Sequence, residues 1–79
     1  MTLSQILDIM KKNISTIASY LDISVETVQY WIDKPETMLD FGILEAGVIA
    51  HVAGITISQF VEALVKEYPM ETWTEMEES

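Results

Sequence analysis

Apolar residues between positions 15 and 34 recur at helical spacing on both sides of a short polar break. Each side carries one apolar face, made of Ile17, Ala18 and Leu21 before the break and Val28, Trp31 and Ile32 after it. This spacing predicts two short helices, residues 15–21 and 25–32. The three residues between them, Asp22, Ile23 and Ser24, form a tight turn. The apolar side chain of Ile23 is expected to pack between the two helices, and Ser24 caps the second helix of the pair.

A first helix precedes this pair. Its apolar face consists of Leu3, Ile6, Leu7 and Met10. Thr2 stands at the N-cap position and Gln5 follows three residues later, which is the spacing of a capping box. The helix is expected to end near Asn13, because asparagine favours a cap over a helix interior. Either Asn13 or Ser15 then caps the second helix.

Pro35 is expected to end the third helix, because proline disfavours the helical conformation at the preceding residue. Residues 34–39 are predicted to be a loop. Asp40 is the expected N-cap of a fourth helix over residues 41–53. Apolar side chains cover most of the circumference of that helix, in a stripe of Phe41, Leu44, Val48 and Val52 widened by Ile43, Ala46, Ile49, Ala50 and Ala53. A short helix of this kind is expected at the centre of the core.

Gly54 is expected to end the fourth helix in a left-handed turn. A fifth helix follows, capped by Thr56 or Ser58 and ending near Tyr68 before Pro69. Its predicted buried stripe consists of Ile57, Phe60, Val61, Leu64 and Val65.

The composition narrows the class of protein. The chain has 79 residues, of which 49% are hydrophobic, and this favours one packed domain over disorder. Cysteine is absent, which excludes a disulfide framework and a thiolate metal site. The first ten residues lack the basic segment of a signal peptide, and residues 42–61 read as two core helices interrupted at Gly54. A cytoplasmic protein with no membrane span, metal or cofactor is therefore expected.

The net charge is −9, from 13 acidic residues and four lysines, with no arginine. Residues 1–37 hold five acids against three lysines, and residues 38–79 hold eight acids against one. The excess negative charge therefore lies mainly in the second half. Four of its acids fall in an acidic C-terminal tail, residues 70–79, which we separate from a domain over residues 1–69.

The helix pattern resembles the Cro and lambda-repressor type (Xre-like) DNA-binding domains over roughly residues 3–68. The supporting segments are TIASYLDISVETVQYWI and AHVAGITISQFVEAL. The resemblance implies an all-α fold, a small five-helix bundle with a helix-turn-helix at helices 2 and 3. Two features depart from the family. Asp22 occupies the first turn position, where the family usually has glycine, and the third helix lacks the family's usual cations.

By this resemblance the third helix enters the major groove of DNA and the chain is a transcriptional regulator. The candidate DNA-binding residues are Lys11, Lys12, Asn13, Ser24, Val25, Glu26, Gln29, Tyr30 and Lys34. Gln29 can read an adenine edge, Val25 can contact a thymine methyl and Glu26 can accept from cytosine N4. Ser24 and Tyr30 can bond phosphates.

A protein-binding regulator that keeps this fold without binding DNA is the alternative. An anti-repressor or a dimerisation module would tolerate the acidic charge, whereas phosphate neutralisation requires cations. The candidate protein-interface residues are Tyr68, Met70, Trp73 and Met76, and a homodimer through the fifth helix and the tail fits them. An enzyme is not expected, because His51 is the single histidine and no phosphate-binding loop or catalytic pair is visible.

Overall fold

The computed structural model describes residues 1–69, which form five α-helices and one 3₁₀ helix. The α-helices are α1 (Leu3–Lys12), α2 (Ile14–Leu21), α3 (Val25–Asp33), α4 (Ile43–Ala53) and α5 (Ile57–Glu67). The 3₁₀ helix (Pro35–Asp40) lies between α3 and α4. No β-strand occurs within residues 1–69, and the predicted all-α class is confirmed.

One hydrophobic core holds the helices together. Helix α1 packs against all four other α-helices, and α4 packs against α1, α2 and α5. The largest side chains that are almost fully buried are Phe60, Ile6, Met10, Ile17, Met38, Ile49 and Val28. Burying a side chain of this size stabilises the fold by about 1.5–3 kcal/mol. The described helices are too short and too polar to cross a membrane singly, and only α4 and α5 joined across a 98° bend would have the length and composition.

Three helices begin with the predicted side-chain caps. The Thr2 hydroxyl accepts from the Gln5 N–H at 3.2 Å, and the Gln5 side chain accepts from the Thr2 N–H at 2.8 Å. Thr56 and Gln59 form the same pair at 3.1 and 2.9 Å, which selects Thr56 over Ser58 as the cap of α5. Each capping box satisfies two backbone donors that would otherwise lack partners. Ser24 caps α3 in the predicted way.

The turn that follows α2 and the turn that follows α4 have the same construction. Asp22 and Gly54 are the only residues with positive φ in the described chain, at 55° and 74°. The next residue in each turn donates its N–H back to an alanine carbonyl, from Ile23 to Ala18 at 3.0 Å and from Ile55 to Ala50 at 2.9 Å. A capping Ser24 or Thr56 then starts the following helix. The turn is therefore a repeated unit 32 residues apart in the sequence.

The structure corrects the prediction for the segment between α3 and α4. Residues 34–39 are not a loop, because Pro35 starts the 3₁₀ helix with a φ angle that suits its first position. Asp40 does not cap α4, which begins at Ile43 after an N-cap position at Gly42. Phe41 is extended, and its ring packs edge-on against Trp31 with centroids 4.6 Å apart. Because of this aromatic contact, Phe41 lies outside α4, although its sequence spacing predicted that it would be helical.

The buried faces of α4 and α5 also differ from those predicted. Helix α4 buries its small residues and Ile49, whereas Ile43 and Leu44 are exposed, at 81% and 68%. Helix α5 buries Phe60 and Leu64 as predicted, together with Ala63. The other predicted core residues of α5, Ile57, Val61 and Val65, are exposed by 38%, 41% and 37%. Alanines fill the interior because α4 lies against three other helices and close packing requires small side chains.

Candidate nucleic-acid interface

The start of α3 is fixed by hydrogen bonds within its first turn. The Ser24 hydroxyl oxygen accepts from the Thr27 N–H at 3.2 Å and lies 2.9 Å from the Thr27 hydroxyl. Ser24 is exposed and Thr27 is half-buried, so this pair lies at the surface of the helix N-terminus. Ser24 therefore has its side chain partly occupied by the cap, and Thr27, which the sequence prediction omitted, is its partner.

Helix α3 divides sharply into an inward and an outward face. Val28 and Ile32 are buried against the core, and Trp31 is half-buried. The outward residues recur at i, i+3, i+4 and i+7 and form one strip: Glu26, Gln29, Tyr30 and Asp33, all exposed. We call these four residues the α3 strip. Val25 lies beside it at the first turn and is also exposed.

Within the α3 strip the structure pairs Gln29 with Asp33. The Gln29 Nε2 amide donates to the Asp33 Oδ1 carboxylate oxygen over 3.1 Å. This bond orients the Gln29 amide along the helix, and a base edge would have to compete for that donor. Asp33 was absent from the predicted site, although a glutamine and an aspartate four residues apart on a helix are a recognisable pair.

The candidate cations lie at the two ends of the α2–α3 pair. Lys11 and Lys12 are exposed in the last turn of α1, next in sequence to the start of α2. Lys34 follows α3 at its C-cap. Asn13 joins α1 to α2, but its side-chain Nδ2 donates to the Ile9 carbonyl at 2.7 Å and makes no cap for α2. Asn13 occupies the N-cap position of α2, one of the two positions predicted, but its side chain makes no capping hydrogen bond there and closes α1 instead.

The surface around α3 carries negative charges on the α3 strip and positive charges outside it. The α3 strip carries two carboxylates, Glu26 and Asp33, and no cation. Asp22 adds a third exposed carboxylate in the turn before it. The three lysines stand outside the strip, at the α1–α2 junction and after α3. A polyanion approaching the strip would thus meet attraction at the edges and repulsion in the middle.

Three aromatic rings support α3 from behind. The edge-on pair of Trp31 and Phe41 continues to Phe60, whose ring centroid is 6.3 Å from that of Phe41. Phe60 is 1% exposed in α5. The cluster links the C-terminal half of α3 to the centre of the core, so α3 presents its outward strip from a fixed base.

Tyr68, one of the candidate protein-interface residues, is half-buried beside the start of α1. It packs against the core and shares a shallow groove with Thr2, Leu7 and Pro35. The other three candidates, Met70, Trp73 and Met76, lie outside the described residues. The structure therefore places Tyr68 after the C-terminus of α5, next to Pro35 and the start of α1.

The Tyr68 phenol gives a testable pH dependence. Burial, followed by the nearby Glu36 and Glu67 carboxylates, raises the pKa of Tyr68 above its ordinary value. The folded state then holds the phenolic proton more tightly than the unfolded chain. This stabilising contribution is complete below the unfolded pKa of about 10 and is lost as the pH rises through the higher folded pKa.

We therefore expect the free energy of unfolding to fall above about pH 10, and to fall less in Tyr68→Phe, which has no proton to lose. Urea titrations followed by circular dichroism from pH 8 to pH 11 measure both slopes. Parallel curves for the two proteins would show that Tyr68 does not contribute.

Among residues 1–69 no three histidine, aspartate or glutamate side chains are grouped so that they could hold a metal ion. His51 lies on the exposed side of α4, next to the ring of Tyr20 with centroids 6.2 Å apart.

No family model, curated protein or solved structure matches this chain.

Proposed function

We propose that this chain is a transcriptional regulator of the Xre-like helix-turn-helix type that binds DNA through α3. The observation that carries the proposal is the α3 strip. An exposed helix face, held by a capped turn on one side and an aromatic cluster on the other, is the geometry with which a recognition helix enters the major groove. Helices α2 and α3 and the turn between them provide that geometry in 20 residues, 14–33.

The outward residues supply a small set of base-reading groups. Gln29 can bond both polar groups of an adenine edge once its amide exchanges Asp33 for the base. Glu26 can accept from the amino group of cytosine, and Val25 can contact a thymine methyl. Tyr30 and the lysines Lys11, Lys12 and Lys34 can bond phosphates and so set the register. Specificity is thus assigned to the α3 strip and affinity to its edges.

A second function is favoured by the charge of the same strip. Glu26 and Asp33 face outward, and the whole chain carries −9 with no arginine. A protein with a basic surface would gain from both carboxylates, with the exposed ring of Tyr30 as an anchor between them. In this alternative the chain keeps the architecture of a DNA reader and binds a basic protein instead.

Titration of a labelled random duplex at about 20 mM salt separates the two functions. We expect binding tighter than about 1 mM, because non-specific DNA binding is normally well within that range and strengthens as salt falls. No binding at 1 mM protein would contradict the DNA proposal. Capture of a basic protein that is lost in Tyr30→Ala would then support the alternative.

Two single substitutions distinguish recognition of the bases from attraction to the phosphates. Gln29→Ala is expected to change the sequence preference with little effect on the salt dependence. Lys12→Ala is expected to weaken all sequences alike and to lower the slope of log K against log salt by about 0.9, for one lost phosphate contact. Lys66→Ala on α5 is the matched control and should leave both quantities unchanged. An unaltered preference in Gln29→Ala would remove that residue from the reading surface.

A further inference from the structure

Helix α4 is apolar on its exposed side as well as its buried side. Its interior side consists of Ala46, Ile49, Ala50 and Ala53. Its outer side begins with Ile43 and Leu44, the two most exposed large apolar side chains in the described part of the chain. A helix that is hydrophobic all round is normally covered on every side. Within residues 1–69 nothing covers one side of α4.

The uncovered side continues across α2 as a groove. The groove has a volume of about 340 Å³ and is lined by Tyr20, Ile43, Leu44, Gly47, Val48 and His51, which we call the α4 face. The Tyr20 and His51 rings meet edge-on at an interplanar angle of 85° and form one wall. Gly47 lines the groove without a side chain, and a Cβ added there would lie 3.7 Å from Ile57 Cδ1 of α5, an ordinary contact distance.

The α4 face is free of carboxylates in a chain that carries −9. The single acid of α4, Glu45, is half-buried, and its carboxylate folds back towards Gly42. A basic partner would find no countercharge in this groove. A second acidic copy would meet the least repulsion here, because α1, α3 and α5 carry exposed charged side chains, whereas α2 and the α4 face carry none.

The area agrees with a contact between two copies. At roughly 100 Å² for each fully exposed aliphatic side chain and somewhat more for tyrosine, the exposed parts of the α4 face amount to about 350 Å². A standard interface buries about 800 Å² per partner, a little over half of it apolar. The α4 face therefore supplies most of the apolar area that such an interface requires.

We propose that a second copy of this chain covers the α4 face in a two-fold symmetric dimer. In an isologous contact, the protruding Ile43 and Leu44 of each copy meet the groove of the other, so one surface provides both halves. The contact lies on α4 and α2, and the α3 strip remains exposed. The dimer does not depend on DNA binding, and its failure would leave the duplex titration unaffected.

Sedimentation equilibrium from about 1 µM to 1 mM protein tests the dimer. We expect the wild-type mass to rise towards twice the 9.0 kDa of one chain. Leu44→Glu should raise the dissociation constant at least 100-fold, because two carboxylates would enter the apolar contact. Val25→Glu is the matched control, an exposed aliphatic residue on α3, and should dimerise like the wild type.

A wild-type mass of one chain at 1 mM would overturn the proposal, and so would wild-type association of Leu44→Glu. Urea unfolding of Leu44→Glu at 10 µM, followed by circular dichroism, excludes misfolding and shows what else could cover the face. Loss of the dimer supports the second copy when unfolding stays cooperative and the midpoint falls by no more than the lost dimerisation accounts for at 10 µM. If the wild type is monomeric at 1 mM and Leu44→Glu has a lowered midpoint, the face is instead assigned to residues 70–79.

Discussion

Phe60→Ala is expected to leave a large fraction of the protein unfolded at 25 °C. Phe60 is 1% exposed and its ring joins the Trp31–Phe41 pair to the centre of the core. Truncating a buried phenylalanine costs about 3–5 kcal/mol, from lost transfer energy and the cavity left behind. A chain of this length rarely has more than about 3–5 kcal/mol of stability from a single core. One substitution is therefore comparable with the whole free energy of unfolding.

Urea titration monitored at 222 nm measures this effect, with Tyr30→Ala as its control. Tyr30 is also aromatic and helical, but it is exposed on the outward face of α3. We expect Tyr30→Ala to change the free energy of unfolding by no more than about 0.5 kcal/mol. If Phe60→Ala lowers the free energy of unfolding by less than about 1 kcal/mol, the aromatic cluster does not stabilise the core as described.

Reversing both charges of the α3 strip is expected to produce the largest change in DNA affinity. The double variant Glu26→Lys with Asp33→Lys removes two repulsions and adds two attractions at the proposed groove contact. At about 1 kcal/mol for each of these four charge interactions through water, the non-specific affinity at about 20 mM salt should rise on the order of 1,000-fold. The slope against log salt should steepen by about 1.8, for two new phosphate contacts.

The matched control places the same charge change on a different helix. Glu62→Lys with Glu67→Lys on α5 also moves the net charge from −9 to −5, since each substitution adds two units. We expect this control to gain much less affinity, because its new lysines are on α5 and do not replace the carboxylates of the α3 strip. Equal gains in both double variants would mean that DNA responds to total charge and does not bind at α3.

The parts of the fold that sequence reasoning predicted well are those decided by neighbours in sequence. The capping box of Thr2 with Gln5 was predicted because it needs only a spacing of three residues and a free helix end, and Thr56 was one of the two caps expected for α5. The left-handed turn at Gly54 depends in the same way on one residue's conformational freedom. Helix number and order followed from such local signals.

The parts of the fold that sequence reasoning missed depend on contacts between residues distant in the sequence. Phe41 has helical spacing with the residues after it, yet its ring is held by Trp31, and α4 starts two residues later than predicted. Helix α4 is apolar all round, so periodicity gave no direction for its buried face. Leu44 was assigned to the core for that reason and is exposed.

The candidate site shows the same division. The outward positions Glu26, Gln29 and Tyr30 followed from the spacing of the inward ones, since a helix face is defined by its opposite. The Gln29–Asp33 bond was missed because the predicted helix stopped at Ile32, one residue before the acceptor. Helix ends are the least certain part of a pattern, and here the end carried a residue that changes the chemistry of the strip.

The repeated turn makes the two halves of the bundle unequal in local stability. Glycine enters the left-handed region without steric cost, whereas aspartate pays up to about 1 kcal/mol more for the same conformation. The turn at Asp22 is thus the weaker copy of the turn at Gly54. Transient opening should begin at α3, and its amide protons should exchange with solvent before those of α5. The aromatic cluster holds the C-terminal half of α3, so it is the N-terminal end of this helix, next to Asp22, that is freer to adjust when a partner arrives.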